Sequence, residues 1–173
     1  MITRSFLRHA LLGTAMLALL SCERPSPLGV EARAPNASLF DWLPQVGLLR
    51  CSPLPYDSVT QTIGPEGGTL FVGPHRLSIP AGALPAAVTI TAVAPSDTVN
   101  QVRFFPEGLT FASPAALTMS YANCGPLNSL LPRQIAYTTD ALDILALLPS
   151  FDAFWAQRVT GRLQHFSTYA IAW

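Results

Sequence analysis

Short alternating runs of residues, separated by glycine and proline, fill residues 62–121 and constrain the fold of this chain more than any other feature. Apolar and polar residues alternate in residues 117–121 (Leu-Thr-Met-Ser-Tyr) and in residues 88–92 (Val-Thr-Ile-Thr-Ala). A period of two buries one face of a strand and leaves the other to water. Prolines fall between the runs, as short strands require: Pro80, Pro85, Pro95, Pro106 and Pro114. The pattern predicts an antiparallel β-sandwich.

Further strands are predicted on both sides of this stretch. Residues 70–72 and 75–79 read as two strands across a tight turn at Gly73-Pro74, and residues 135–138, 144–148, 159–163 and 165–173 continue the series. Residues 141–148 are ambiguous, because Leu142, Leu145 and Leu148 also fit a helical turn. The number and spacing of the runs favour the sandwich.

The composition allows one folded domain and excludes one class of partner. Half of the 173 residues are apolar, enough for a core. The chain has 10 basic and 10 acidic residues. Without Arg4 and Arg8 of the leader described next, 8 arginines face 10 acidic residues, a net charge of −2. No basic stripe is visible along the sequence, so a nucleic-acid partner is not expected.

Residues 1–21 are typical of a secretion signal. Arg4 and Arg8 precede an apolar run, residues 11–20, that is short for a membrane span. The run ends in Leu-Leu-Ser before Cys22, which resembles the bacterial lipoprotein signal, in which the cysteine carries the lipid and becomes the new N-terminus. An ordinary signal peptide is the alternative. The resemblance implies an exported protein held on a membrane by acyl chains at Cys22.

Residues 22–50 are predicted to connect the anchor to the domain. Residues 23–35 are rich in Pro, Arg and Glu and read as a flexible tether. Apolar residues then crowd around Asp41 and Pro44, with Trp42 among them. This segment is interpreted as a strand or helical turn docked on the domain, and the alternative is a segment that rests on the membrane or on a partner. The β-sandwich domain itself is predicted to span residues 51–173.

Two cysteines remain once Cys22 carries lipid. In an exported protein, Cys51 and Cys124 are expected to form a disulfide. A metal site is a weaker interpretation of the two cysteines than a disulfide, since the mature chain has only two histidines, His75 and His165, and no Cys-x-x-Cys or His-x-x-x-His spacing. No metal and no other cofactor are predicted.

Five segments of the chain, taken in order, resemble the ZU-five domain, a β-sandwich module found in zonula occludens proteins, ankyrins and netrin receptors. The matching segments are residues 67–70, 77–84, 106–111 with Pro114, 117–121 and 165–170. Together they cover residues 59–173. The resemblance implies an interaction or spacer module that turns over no external substrate. A protein or an envelope polymer is the expected partner, beside the membrane that holds the anchor.

The tripeptide His165-Phe166-Ser167 is the one motif with a chemical implication. Some members of the ZU-five family cleave their own chain between this Phe and Ser. The resemblance implies that the Ser167 hydroxyl attacks the Phe166 carbonyl, that His165 takes the proton, and that the ester then hydrolyses. In an extended strand, residues 165 and 167 share a face. The alternative is a purely structural last strand with Phe166 packed inward.

Overall fold

The computed structural model describes residues 46–125 and 131–173, and they form an all-β unit without an α-helix. None of the described helical turns could cross a membrane. The elements in chain order are β1 (Asp57–Ile63), β2 (Gly68–Val72), β3 (His75–Ile79), β4 (Val88–Ala94), β5 (Gln101–Phe105), β6 (Thr110–Ser120), β7 (Gln134–Thr138), β8 (Ile144–Leu148), β9 (Ser150–Ala153), a 3-10 turn (Phe154–Ala156), β10 (Arg158–His165) and β11 (Thr168–Ala172).

The strands form two antiparallel sheets that pack as a sandwich. The first sheet has six strands in the order β1-β4-β5-β11-β7-β8, and the second has five in the order β2-β3-β6-β10-β9. The predicted antiparallel β-sandwich is therefore confirmed. Alternation explains the layers: in β3, the side chains of His75, Leu77 and Ile79 are buried while Arg76 is exposed. The inner faces of the two sheets together form one core.

Several strand predictions are confirmed, but Pro114 does not separate two runs: it lies inside the continuous strand β6. The hairpin of β2 and β3 across Gly73 is present, and the ambiguous residues 141–148 contain strand β8, which pairs with β7. Leu142 lies before β8 with a positive φ of 67°. Residues 165–173 do not form one strand: β10 ends at His165 and β11 starts at Thr168. The chain changes sheets between them, so Phe166 and Ser167 form a corner.

The chain enters the sandwich before the predicted domain boundary at Cys51. Leu48 bridges Ala172 of β11, and Leu49 is fully buried in the core. The Leu49 N–H donates to the Ile171 carbonyl at 2.8 Å. The end of the predicted docking segment thus packs on the domain. The leader, Cys22, the tether and Trp42 lie outside the described residues.

A glycine turn before β2 fixes the start of the second sheet. Gly67 has a φ of +76°, and its N–H donates to the Gly64 carbonyl at 3.0 Å. A Cβ atom at residue 67 would lie 2.4 Å from the Ile79 carbonyl oxygen. Gly82 has the same φ but would place its Cβ in open space. Glycine is required at residue 67 both by its conformation and by the close approach of the backbone.

These two glycines make a matched pair for a stability test. We expect Gly82→Ala to lower the free energy of unfolding by about 1 kcal/mol, the cost of a left-handed conformation. Gly67→Ala adds the backbone clash and should cost about 2–4 kcal/mol. Urea unfolding of both variants measures the difference. Equal losses would show that the contact with Ile79 carries no energy.

His75 is a buried histidine that packs as part of the core. Its side chain is 1% exposed, and its Nδ1 accepts the Ser120 N–H at 3.2 Å. An accepting Nδ1 requires the neutral ring. Burial lowers the pKa of His75 from 6.5 to about 4. The residue therefore stabilises the fold only while it is uncharged.

Acid should destabilise the protein through this histidine. Because the pKa is lower in the folded state, the unfolded state binds the proton first, and stability falls as the pH drops below 6.5. We expect a loss of about 2 kcal/mol between pH 7.5 and pH 5 from His75 alone. His75→Asn keeps an acceptor and removes the titration, so its unfolding free energy should fall less over the same range. Parallel pH profiles of the two proteins would contradict this assignment.

Candidate functional site

The tripeptide with the predicted chemistry lies at the corner between the two sheets. His165 is the last residue of β10, and its β-ladder with β6 shifts register after Leu163. Phe166 is fully buried and Ser167 is 8% exposed. The Phe166 N–H donates to the Leu109 carbonyl at 2.8 Å, and the Ser167 carbonyl accepts the Phe104 N–H at 3.1 Å. The corner is thus fixed by hydrogen bonds to β5 and to the turn that joins β5 to β6.

The carbonyl of the predicted scissile bond faces two nitrogen atoms. The Phe166 oxygen accepts the Gly108 N–H at 3.0 Å. It also lies 3.3 Å from His165 Nδ1, which can donate when that nitrogen carries a proton. Two donors on one carbonyl oxygen are the arrangement that stabilises the negative charge of a tetrahedral intermediate. The structure therefore places His165 beside the carbonyl oxygen of Phe166.

The two aromatic neighbours of His165 hold its ring. Tyr137 meets it edge-on, with centroids 5.0 Å apart, and Tyr169 lies at 6.3 Å. The Tyr169 hydroxyl donates to the His165 carbonyl at 2.6 Å. Burial, with a smaller effect of Tyr137, raises the pKa of Tyr169, which stays protonated as this hydrogen bond needs. The Ser167 hydroxyl makes no hydrogen bond with any described residue.

The predicted disulfide is confirmed: Cys51 and Cys124 are bonded across 73 residues of chain. A polar layer surrounds it. The side chains of Asn100 and Asn123 exchange amide hydrogen bonds of 2.8 and 3.0 Å. Asn123 also donates to the Ser52 carbonyl at 2.6 Å. The disulfide and this amide pair join the segment before β1 to the loop after β6, and a disulfide is typical of an oxidising compartment.

A cleft that the sequence did not reveal opens next to the disulfide. Its volume is about 190 Å³, and its walls include Tyr121, Cys124, Arg133, Phe154 and Trp155. Trp155 is 96% exposed although it is the largest apolar side chain of the group. Phe154 packs against it edge-on, with centroids 5.4 Å apart. The cleft therefore combines an exposed aromatic surface with a nearby cation.

Arg133 is the cation of the cleft, and aromatic rings rather than a carboxylate hold it. The guanidinium carbon lies 5.1 Å from the Tyr121 ring centre and 5.6 Å from that of Phe154. Arg133 is 3% exposed; its Nη1 donates to the Leu131 carbonyl at 3.3 Å, and its Nε has no hydrogen-bond partner among the described residues. Asp152 does not pair with the guanidinium: its two oxygens accept the Tyr121 hydroxyl at 2.6 Å and the Arg133 backbone N–H at 2.9 Å. Burial and then Asp152 raise the pKa of Tyr121.

One feature of the sequence could have indicated the cleft. Residues 151–155 place Phe, Phe and Trp around Asp152 without the alternation of a strand. Such a run cannot bury all its rings on one face. The described part of the chain contains no group of three or more His, Cys, Asp or Glu residues arranged for a metal ion.

Comparison with known proteins adds no relative. No protein-family model matches the chain, and no curated protein is significantly similar to it.

Proposed function

We propose that this chain is an exported protein of the bacterial envelope, lipid-anchored at Cys22, and that its β-sandwich is a binding module without an external substrate. The lipoprotein-like leader supports the anchor, and the Cys51–Cys124 disulfide agrees with an oxidising compartment. The observation that carries the binding role is the cleft beside that disulfide, with Trp155 almost fully exposed.

The residue types of the cleft favour a protein partner. Trp, Tyr and Arg are the residues that dominate the binding energy of protein interfaces, and all three line this cleft. An exposed tryptophan costs free energy in water that a partner would recover by covering it. Arg133 adds a positive charge to the wall of the cleft, which favours an acidic residue on the partner.

A cross-linking experiment tests the binding role. A photo-reactive phenylalanine analogue is placed at residue 155 in one strain and at residue 56 in another, since Tyr56 is 64% exposed and is not among the residues that line the cleft. We expect one discrete protein adduct from residue 155 and none from residue 56. Trp155→Ala should then weaken binding of the identified partner by about 30-fold, and Tyr56→Ala should leave it unchanged. Equal adducts at both positions, or none, would contradict the proposal.

Self-processing between Phe166 and Ser167 is a second candidate, favoured by the two nitrogen atoms at the Phe166 oxygen. In this reaction the Ser167 Oγ attacks the Phe166 carbonyl carbon, and the hydroxyl proton passes to the leaving amine as the C–N bond breaks. Water then hydrolyses the ester, giving a Phe166 carboxylate and a free Ser167 amine. The Gly108 N–H and a protonated His165 Nδ1 would stabilise the oxyanion.

Denaturing intact-mass spectrometry distinguishes a cut chain from an intact one. β11 pairs with β5 and β7 on its two sides, so residues 167–173 would stay bound in a folded sample. The parent chain from residue 23 onward is compared with Ser167→Ala and His165→Gln. Loss of the seven-residue tail in the parent and not in Ser167→Ala supports self-processing. One uncut mass in all three proteins rules it out and leaves the tripeptide as a structural corner.

A further inference from the structure

The outer face of the five-stranded sheet carries positive charge that the linear sequence conceals. The pairing of the strands places one residue from each strand side by side in a row across the sheet. The row consists of Phe71 (β2), Arg76 (β3), Thr118 (β6), Thr160 (β10) and Phe151 (β9). Arg76 is the one charged residue of this row.

Two more arginines flank this row on β10. Arg158 and Arg162 alternate with Thr160 and are exposed, while Val159 and Gly161 between them are buried. We call the surface formed by Phe71, Arg76, Phe151, Arg158 and Arg162 the arginine face. It contains no Asp or Glu: Asp152, the acidic residue of β9, lies on the opposite side and binds Tyr121.

The three guanidinium groups of the arginine face are available to a ligand. None of them forms an ion pair or a hydrogen bond with another described residue. Arg103, by contrast, lies in the other sheet and pairs with Asp140 at 3.9 Å. Residues 46–173 contain six arginines and seven acidic residues. Since three of the arginines and none of the acidic residues lie on this face, the rest of the domain carries an excess of four negative charges.

Aromatic side chains stand at both edges of the arginine face. Phe71 on β2 is 61% exposed and Phe151 on β9 is 73% exposed. Threonines fill the centre, where the Thr118 and Thr160 hydroxyls are 2.9 Å apart. Arginines that bind phosphate, combined with aromatic rings that enter the headgroup region, are typical of surfaces that lie on an anionic bilayer.

We propose that the arginine face docks on an anionic phospholipid surface. The choice of a membrane rests on the proposed lipid anchor: a chain from Cys22 to Val46 reaches at most about 80 Å, so the domain stays close to a bilayer. The negative charge on the rest of the domain is repelled by the same lipids and orients the face toward them. Docking would fix the orientation in which the cleft with Trp155 is presented.

Vesicle co-sedimentation tests this docking without the anchor. The mature chain from residue 23, exported so that its disulfide forms, is mixed with vesicles of phosphatidylcholine alone or of phosphatidylcholine with phosphatidylglycerol. We expect binding to the anionic vesicles only, and its loss at high salt. The two proposals can fail separately because Cys22 is absent from this chain. A lack of vesicle binding here would not contradict lipidation at Cys22. A protein found without lipid would not contradict docking of the arginine face.

Charge-matched variants show whether the face itself binds. Arg76→Gln with Arg162→Gln removes two charges from the face, and Arg50→Gln with Arg103→Gln removes two from elsewhere. We expect the first pair to lower the partition coefficient by about fivefold for each arginine and the second to leave it within twofold. Thermal unfolding checks that both variants are folded. Equal losses in both pairs, no binding to anionic vesicles, or binding to single-stranded DNA at least as tight would overturn the proposal.

Discussion

Replacing both Cys51 and Cys124 with alanine is expected to lower the free energy of unfolding by about 4 kcal/mol and the melting temperature by roughly 15 °C. The disulfide closes a loop of 73 residues, and without it the unfolded chain gains the entropy of that open loop. A loss of this size is a large part of the stability of an ordinary domain. Urea unfolding with and without reductant measures it.

The reductant provides the internal control for this prediction. It should lower the stability of the parent protein to that of the double variant and leave the variant unchanged. The amide pair of Asn100 and Asn123 should remain in both states, because it does not depend on the sulfur bond. A double variant as stable as the oxidised parent would show that the disulfide does not hold the segment before β1 to the loop after β6.

Phe166→Ala is expected to cost about 3–5 kcal/mol of unfolding free energy. The Phe166 ring stacks on Phe104 with centroids 5.1 Å apart and meets Phe111 edge-on at 5.0 Å. It therefore lies at the centre of an aromatic cluster where strands of both sheets meet. Truncation leaves a cavity that the fixed backbone of the corner cannot close.

Phe71→Ala is the matched control, because Phe71 is an exposed phenylalanine on an edge strand. Its loss should change the unfolding free energy by less than about 0.5 kcal/mol. Chemical denaturation of the two variants in parallel gives the comparison. If both substitutions cost the same, the aromatic cluster is not the part of the core that stabilises the corner.

The fold could be predicted because its signals are local. Alternation in residues 117–121, the turn at Gly73 and the prolines between runs act within a few residues, and each marks a strand or its end. Pro114 is the exception, since it lies inside β6. The disulfide between Cys51 and Cys124 could be predicted from two inferences. An exported protein reaches an oxidising compartment, and no other cysteine remains once Cys22 carries lipid. Both predictions are confirmed, by the two-sheet architecture and by the disulfide.

The candidate sites depend on pairings that a single sequence does not contain. The sequence predicts a continuous strand through Phe166 because residues 165–173 have the composition of one, while the change of sheet follows from pairing with β5, β6 and β7. Arg76 joins Arg158 and Arg162 only because β6 lies between β3 and β10. The 96% exposure of Trp155 depends on how the surrounding strands pack, which the sequence alone does not show.

The identity of the N-terminal residue of the mature protein tests the central claim most directly. The full chain is expressed in a bacterium, extracted from the membrane with detergent, and measured by denaturing intact-mass spectrometry. We expect the mass of residues 22–173 with acyl chains on Cys22, less the two hydrogens of the disulfide. A chain without lipid, recovered from the soluble fraction with its leader retained or cut elsewhere, would contradict the lipid-anchored account.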